Sequence, residues 1–231
     1  MTLKILTPIE ARVLGTLMEK ARTVPDSYPL SLNALVLGCN QKTSRDPLME
    51  VGDDEARAAI DSLKQQSLVF EGSSSRVPRF EHNFQRAAAT SEAQSVVMGL
   101  LMLRGPQTPA ELRTSGERWY KFTDAAAVEA VLLELQQRGE DGGQAMVLKL
   151  PRAPGAREQR WVHLLCGEPD ITAMVAATPT SSDASDLLAR VTALENMVAR
   201  LKADNAQLRG HIGTISDQLG ITLADGDAPV T

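Results

Sequence analysis

Ile9, Val13, Leu14, Leu17 and Met18 recur at the three-and-four spacing of a single helical face. Thr7-Pro8 ahead of them reads as an N-cap followed by proline at the first helical position. That helix should stop before Pro25, because the residue preceding a proline is pushed out of helical geometry. Ser31 caps a second, shorter helix through about Leu37, and the polar stretch CNQKTSRDP follows at 39–47. Asp53, Asp54 and Glu55 suit the positive end of a third helix, whose apolar stripe is Ala56, Ala59, Ile60 and Leu63. Leu68 to Phe70 and Val77 to Phe80 read as strands around the loop GSSSR. Helix, helix, turn, helix and hairpin is the order of a winged helix-turn-helix.

The order then recurs. Ser91 to Leu103 carries Val96, Val97, Leu100 and Leu101 on its buried side, and Thr108-Pro109 opens a second helix. The turn TSGERWYKF leads to a third from about Asp124, with Val128, Val131, Leu132 and Leu135 inward. Met146 to Leu150 and Arg160 to Leu165 flank the loop PRAPGAREQ as strands. A shift of 72 residues superposes the third-helix stripe of the first half on that of the second, which predicts a tandem duplication. The expected domains are 1–86 and 87–167.

Residues 168–186 lack lysine and arginine and read as a flexible linker. Beyond them the apolar spacing tightens to heptads. Val191, Val198, Asn205, Ile212 and Leu219 take position a, and Leu187, Leu194, Leu201, Leu208 and Ile215 take position d. Branched residues at a, leucine at d and one Asn at a predict a parallel two-stranded coiled coil over 187–219, hence a homodimer. At about 1.5 Å per residue it would be roughly 50 Å long. Arg190 would meet Glu195 of a second copy, and Asp204 would meet Arg209. Residues 220–231 read as a disordered tail. The fold class is thus mainly α with small β-hairpins (α+β): tandem winged helix-turn-helix domains and a C-terminal coiled-coil helix.

LGCNQKTSRDPLMEVG and KLPRAPGAREQRWVHLLCG closely resemble the two most recognisable stretches of the YceH-like family, bacterial proteins of tandem winged-helix build. The resemblance covers about residues 5–167 and implies that fold and a bacterial cytoplasmic setting. It carries over no catalytic or binding residue, and the heptads lie outside it.

Charge changes the picture only through its distribution. The net charge is −5. Residues 1–90 carry 11 cations and 11 anions, 91–167 carry 9 of each, and 168–231 carry 4 against 9, so the negative excess lies in the last quarter. The longest apolar run, Val96 to Leu103, is too short to span a membrane. The N-terminus has no apolar signal core, and two cysteines cannot form a disulfide framework, so the cytoplasm is expected.

No enzyme signature is present, and a non-enzymatic role without cofactor or metal is expected. His82, His163 and His211 are scattered, and GEDGGQ lacks the lysine and helix of a phosphate loop. Cys39 and Cys166 read as small core residues rather than nucleophiles. The candidate chemistry is a discontinuous basic surface. Lys42, Thr43, Ser44 and Arg45 occupy the first turn, and Arg76 and Arg79 the first wing. Arg118 and Lys121 occupy the second turn, among Trp119, Tyr120 and Phe122, and Arg152 and Arg157 the second wing. Turns and wings are where winged helices touch phosphates. Base reading is not expected, because the first third-helix opens on three acids and the second has neither cation nor amide over Asp124 to Leu135. The two expectations are therefore a regulator that binds duplex DNA through phosphates, and an adaptor that docks on partner proteins.

Overall fold

The computed structural model describes residues 3–72, 77–139, 143–153, 155–169 and 205. The chain divides into two units, 1–178 and 179–231. Of the second only Asn205 is described, helical and exposed, so the linker, the remaining heptad positions and the tail lie outside the described residues.

The described part of the first unit is a mixed α+β body of seven helices and two small antiparallel sheets. Helix α1 (Pro8–Thr23) starts where Thr7 Oγ1 accepts from the Glu10 N–H at 3.2 Å and Glu10 Oε2 accepts from the Thr7 N–H at 2.6 Å. That reciprocal box satisfies two of the donors a helix start leaves orphaned. The helix ends at Thr23, two residues ahead of Pro25. α2 (Leu32–Cys39) is capped by Ser31, and α3 (Asp53–Gln65) buries Ala56, Ala59, Ile60 and Leu63. Strands β2 (Val69–Gly72) and β3 (Arg79–His82) form the expected hairpin. A third strand, β1 (Leu30–Ser31), lies on the other side of β3, with Leu30 opposite Phe80. A four-residue helix, α4 (Phe84–Ala87), seats the fully buried Phe84.

The second half repeats the plan. α5 (Glu92–Arg104) and α6 (Pro109–Gly116) open on capping boxes at Ser91/Gln94 and Thr108/Glu111, and α7 (Ala125–Gln137) is capped by Asp124. β4 (Val147–Lys149) pairs with β5 (Trp161–His163). Gln107, the residue before the α6 cap, bridges to Trp161, just as Leu30, before the α2 cap, pairs with β3. The correspondence between the halves in the third-helix stripe therefore extends to the sheet edge.

The halves share one core. Ten consecutive residues of α1, Glu10 to Glu19, and nine of α5, Ser95 to Leu103, are buried, because these helices pack against each other as well as within their own halves. Hydrogen bonds cross the junction: Leu6 N–H to Leu165 O at 2.7 Å and Asp46 N–H to Leu103 O at 2.8 Å. Arg22 reaches Glu92 at 2.6 Å.

Candidate functional site

The stretch between α2 and α3 is braced rather than loose. Asn40 closes it: its Nδ2 donates to Val51 O at 2.9 Å and its Oδ1 accepts from the Val51 N–H at 2.7 Å. Ser44 has a positive φ of 61°, strained for a residue with a Cβ, so contacts around it must hold it there. Its Oγ accepts from Arg104 at 2.8 Å, and Arg104 also donates to Ser115 Oγ, which ties the first turn to α6.

Arg45 departs from its expected place on the phosphate-facing surface. It is 6% exposed, donates to Glu19 at 2.6 and 3.3 Å and to Gly38 O at 2.8 Å, and leaves no face for a phosphate. The reason is Glu19, an acid on the buried side of α1 whose charge needs a partner more than a solvent-facing site needs a cation. Burial alone would raise the Glu19 pKa, but the hydrogen bonds and charge of Arg45 outweigh it and hold the carboxyl below its usual value. Ser44 is half-buried and engaged as above. Lys42 and Thr43 remain exposed, and neither bonds another described residue.

Arg79 is exposed but donates to Pro29 O at 2.8 Å, which anchors the β3 edge, and Arg76 lies outside the described residues. In the second half Arg118 and Lys121 are exposed and make no bond to a described residue. Between them Trp119 turns into the core, and Tyr120 and Phe122 pack ring on ring at 4.8 Å. Arg152 and Arg157 are likewise exposed and unengaged among the described residues, whereas Arg160 forms a two-point pair with Glu111 at 2.7 and 2.8 Å.

Both third helices keep their expected character. The exposed positions of α3 include Asp53, Asp54, Glu55 and Asp61, with Arg57 as the cation among them; those of α7 are Ala126, Ala130, Leu133, Glu134 and Gln137. The thiols are not activated. Burial raises the Cys39 pKa, and burial with the nearby Glu10 charge pushes Cys166 up to about 11. Among the described residues no cluster of His, Cys, Asp and Glu has the makings of a metal site, and no helix is long and apolar enough to cross a membrane.

Three groups went unread in the sequence. Arg12 sits fully buried in α1, Arg104 bridges the halves, and His163 is half-buried on β5 with its Nδ1 buried and unpartnered. Lone polar residues inside apolar stretches carry no spacing signal; the strength of the surrounding apolar run was the sole hint.

The profile described as "Protein of unknown function, DUF480" matches residues 6–156. The chain belongs to this family. It is 82% identical over 225 residues to a UPF0502 protein of Polaromonas sp. (strain JS666), covering 97% of this chain and 95% of the relative. A UPF0502 protein of Polaromonas naphthalenivorans is 62% identical over 85% of this chain and 94% of its own length. The corresponding figures for one from Burkholderia orbicola are 49%, 98% and 94%. These bacterial relatives agree with the YceH-like resemblance, and none of their names states an activity, ligand or partner.

Proposed function

We propose that residues 1–167 are two winged helix-turn-helix units in tandem, and that this DUF480 protein is a non-enzymatic regulator that binds duplex DNA through its phosphates. The element order and the β1-β3-β2 sheet, echoed by the Gln107 bridge, support the fold assignment. One observation carries the functional reading. Lys42 before α3, Arg118 and Lys121 before α7, and Arg152 and Arg157 in the second wing are exposed and have no partner among the described residues. Arg12, Arg22, Arg45, Arg104, Arg138 and Arg160 instead hold protein atoms, while Arg57, Arg86 and Arg113 stand exposed on helices without a partner among the described residues. Free cations in the turn ahead of the third helix of both halves are what phosphate contact requires, and the acidic face of α3 favours binding without insertion into the groove. A cytoplasmic location and a coiled-coil homodimer belong to the same proposal, the latter on the heptads of 187–219.

A second reading, a protein-docking adaptor, is favoured by the exposed acids of α3 with Glu71 and Glu81 on the neighbouring strands. Fluorescence anisotropy of the full-length protein with mixed-sequence duplex DNA separates the two. Binding that weakens steeply as salt rises supports the regulator, while no binding at low salt removes it in favour of the adaptor.

A further inference from the structure

A cavity of about 320 Å³ opens where the two halves meet, within the size range of small-molecule sites. One wall is the start of α1 with the Asp46-Pro47 stretch; the other is the end of α5 with β5 and the residues after it. Most of its surface is apolar, supplied by side chains such as Leu101, Met102 and Val162.

Arg12 lines this cavity and is 1% exposed. Its terminal nitrogens donate to two backbone carbonyls, Cys39 O at 3.1 Å and Pro47 O at 2.5 Å, and its Nε has no partner. Among the described residues no carboxylate forms an ion pair with it, in contrast to Arg45, which has Glu19. Burial followed by the charge of Arg45 pulls the Arg12 pKa down, and the charge of Asp46 offsets this only in part. A buried guanidinium hydrogen-bonded only to carbonyls is an unfavourable arrangement that a bound anion would relieve. His163 lines the same cavity, and its Nδ1 is also buried and unpartnered. The two carboxylates on the cavity wall, Asp46 and Glu168, are exposed.

We propose that this cavity binds a small, predominantly apolar monocarboxylate, whose anionic end meets Arg12 and whose hydrocarbon part fills the space between the halves. One guanidinium with an uncommitted Nε–H and one neutral imidazole match the charge and lone pairs of a carboxylate. A phosphate brings more charge and more acceptors than they satisfy, and the apolar walls give its oxygens no donors. Because both halves supply walls, such a ligand stabilises their packing. The inference does not depend on DNA binding.

Isothermal titration calorimetry on the full-length protein, with hexanoate, octanoate and benzoate against hexanamide as the uncharged control, tests it without DNA present. The carboxylates are expected to bind and to raise the melting temperature, with hexanamide at least tenfold weaker than hexanoate. Arg12→Gln should abolish that discrimination. Should Arg12→Gln not fold, Met49→Trp, which fills the cavity from a half-buried position and keeps Arg12 in the sequence, should abolish hexanoate binding. Equal binding of hexanoate and hexanamide, no binding of any of the carboxylates, or undiminished binding by Met49→Trp would overturn the proposal.

Discussion

Replacing Arg45 by methionine strips a buried carboxylate of its main partner, and breaking such a pair typically costs 3–5 kcal/mol. Lys20 stays 3.1 Å from Glu19, so the loss should fall near about 3 kcal/mol in urea denaturation. The Arg45→Met/Glu19→Leu double variant should recover most of it, because neither charge of the pair is then left buried without its partner; a single-variant loss under about 1 kcal/mol would contradict the buried pair. Lys42→Ala, three residues away in the same turn and exposed, should change stability by no more than about 0.5 kcal/mol. The histidines set the acid response. Burial, with Arg22 adding to it, lowers His82 to about 4, and burial alone lowers His163 to about 4. The unfolded chain takes up these protons near 6.5 and the folded chain does not until about 4. Stability is therefore complete above pH 6.5 and falls as pH drops toward 4, before the carboxylates add their share. Urea midpoints taken across that window should decline steadily, and a flat profile would contradict two buried neutral imidazoles.

Helix packing makes a prediction that propensity alone gets backwards. Alanine is a better helix former than glycine by about 1 kcal/mol, so Gly99→Ala in α5 should stabilise on intrinsic grounds. A Cβ there would lie 2.7 Å from Trp119 Cζ3, a rigid ring atom in the core, so the net effect should be a loss of about 1–2 kcal/mol with a shifted tryptophan fluorescence. The elements most legible in the sequence are those fixed by local chemistry. Thr7-Pro8, Ser31, Thr108-Pro109 and Asp124 each mark a helix start, because an N-cap needs a side-chain oxygen within three residues of its donor. Strand β1 was not legible, since two residues cannot show alternation, and neither was α4, whose one buried ring, Phe84, has no period. The candidate site divided along the same line. Lys42, Arg118, Lys121, Arg152 and Arg157 stand exposed as their loops suggest. Arg45 and Arg12 point inward because of partners 26 and 27 residues away, which no local pattern encodes.

At the scale of the whole molecule, α1 and α5 bury each other, so the region spanning 1–167 should unfold in one calorimetric transition rather than two. The heptads predict a second whole-molecule property. Leu194→Lys/Leu201→Lys in the full chain should convert a dimer into a monomer in sedimentation equilibrium, and a wild-type monomer would remove the coiled-coil reading. Phosphate binding by the exposed turns is the central claim, and its dependence on salt tests it most directly. The measurement is the slope of log binding constant against log salt for mixed-sequence duplex DNA, for wild type, for Lys42→Ala/Arg118→Ala/Lys121→Ala, and for Arg113→Ala as an exposed control on α6. Each phosphate contact contributes a slope of about −0.9, so the triple variant should bind more weakly with a slope shallower by about 2 to 3, and the control should match wild type. An unchanged slope in the triple variant, or an equal change in the control, would contradict the assignment of these turns to the phosphate backbone.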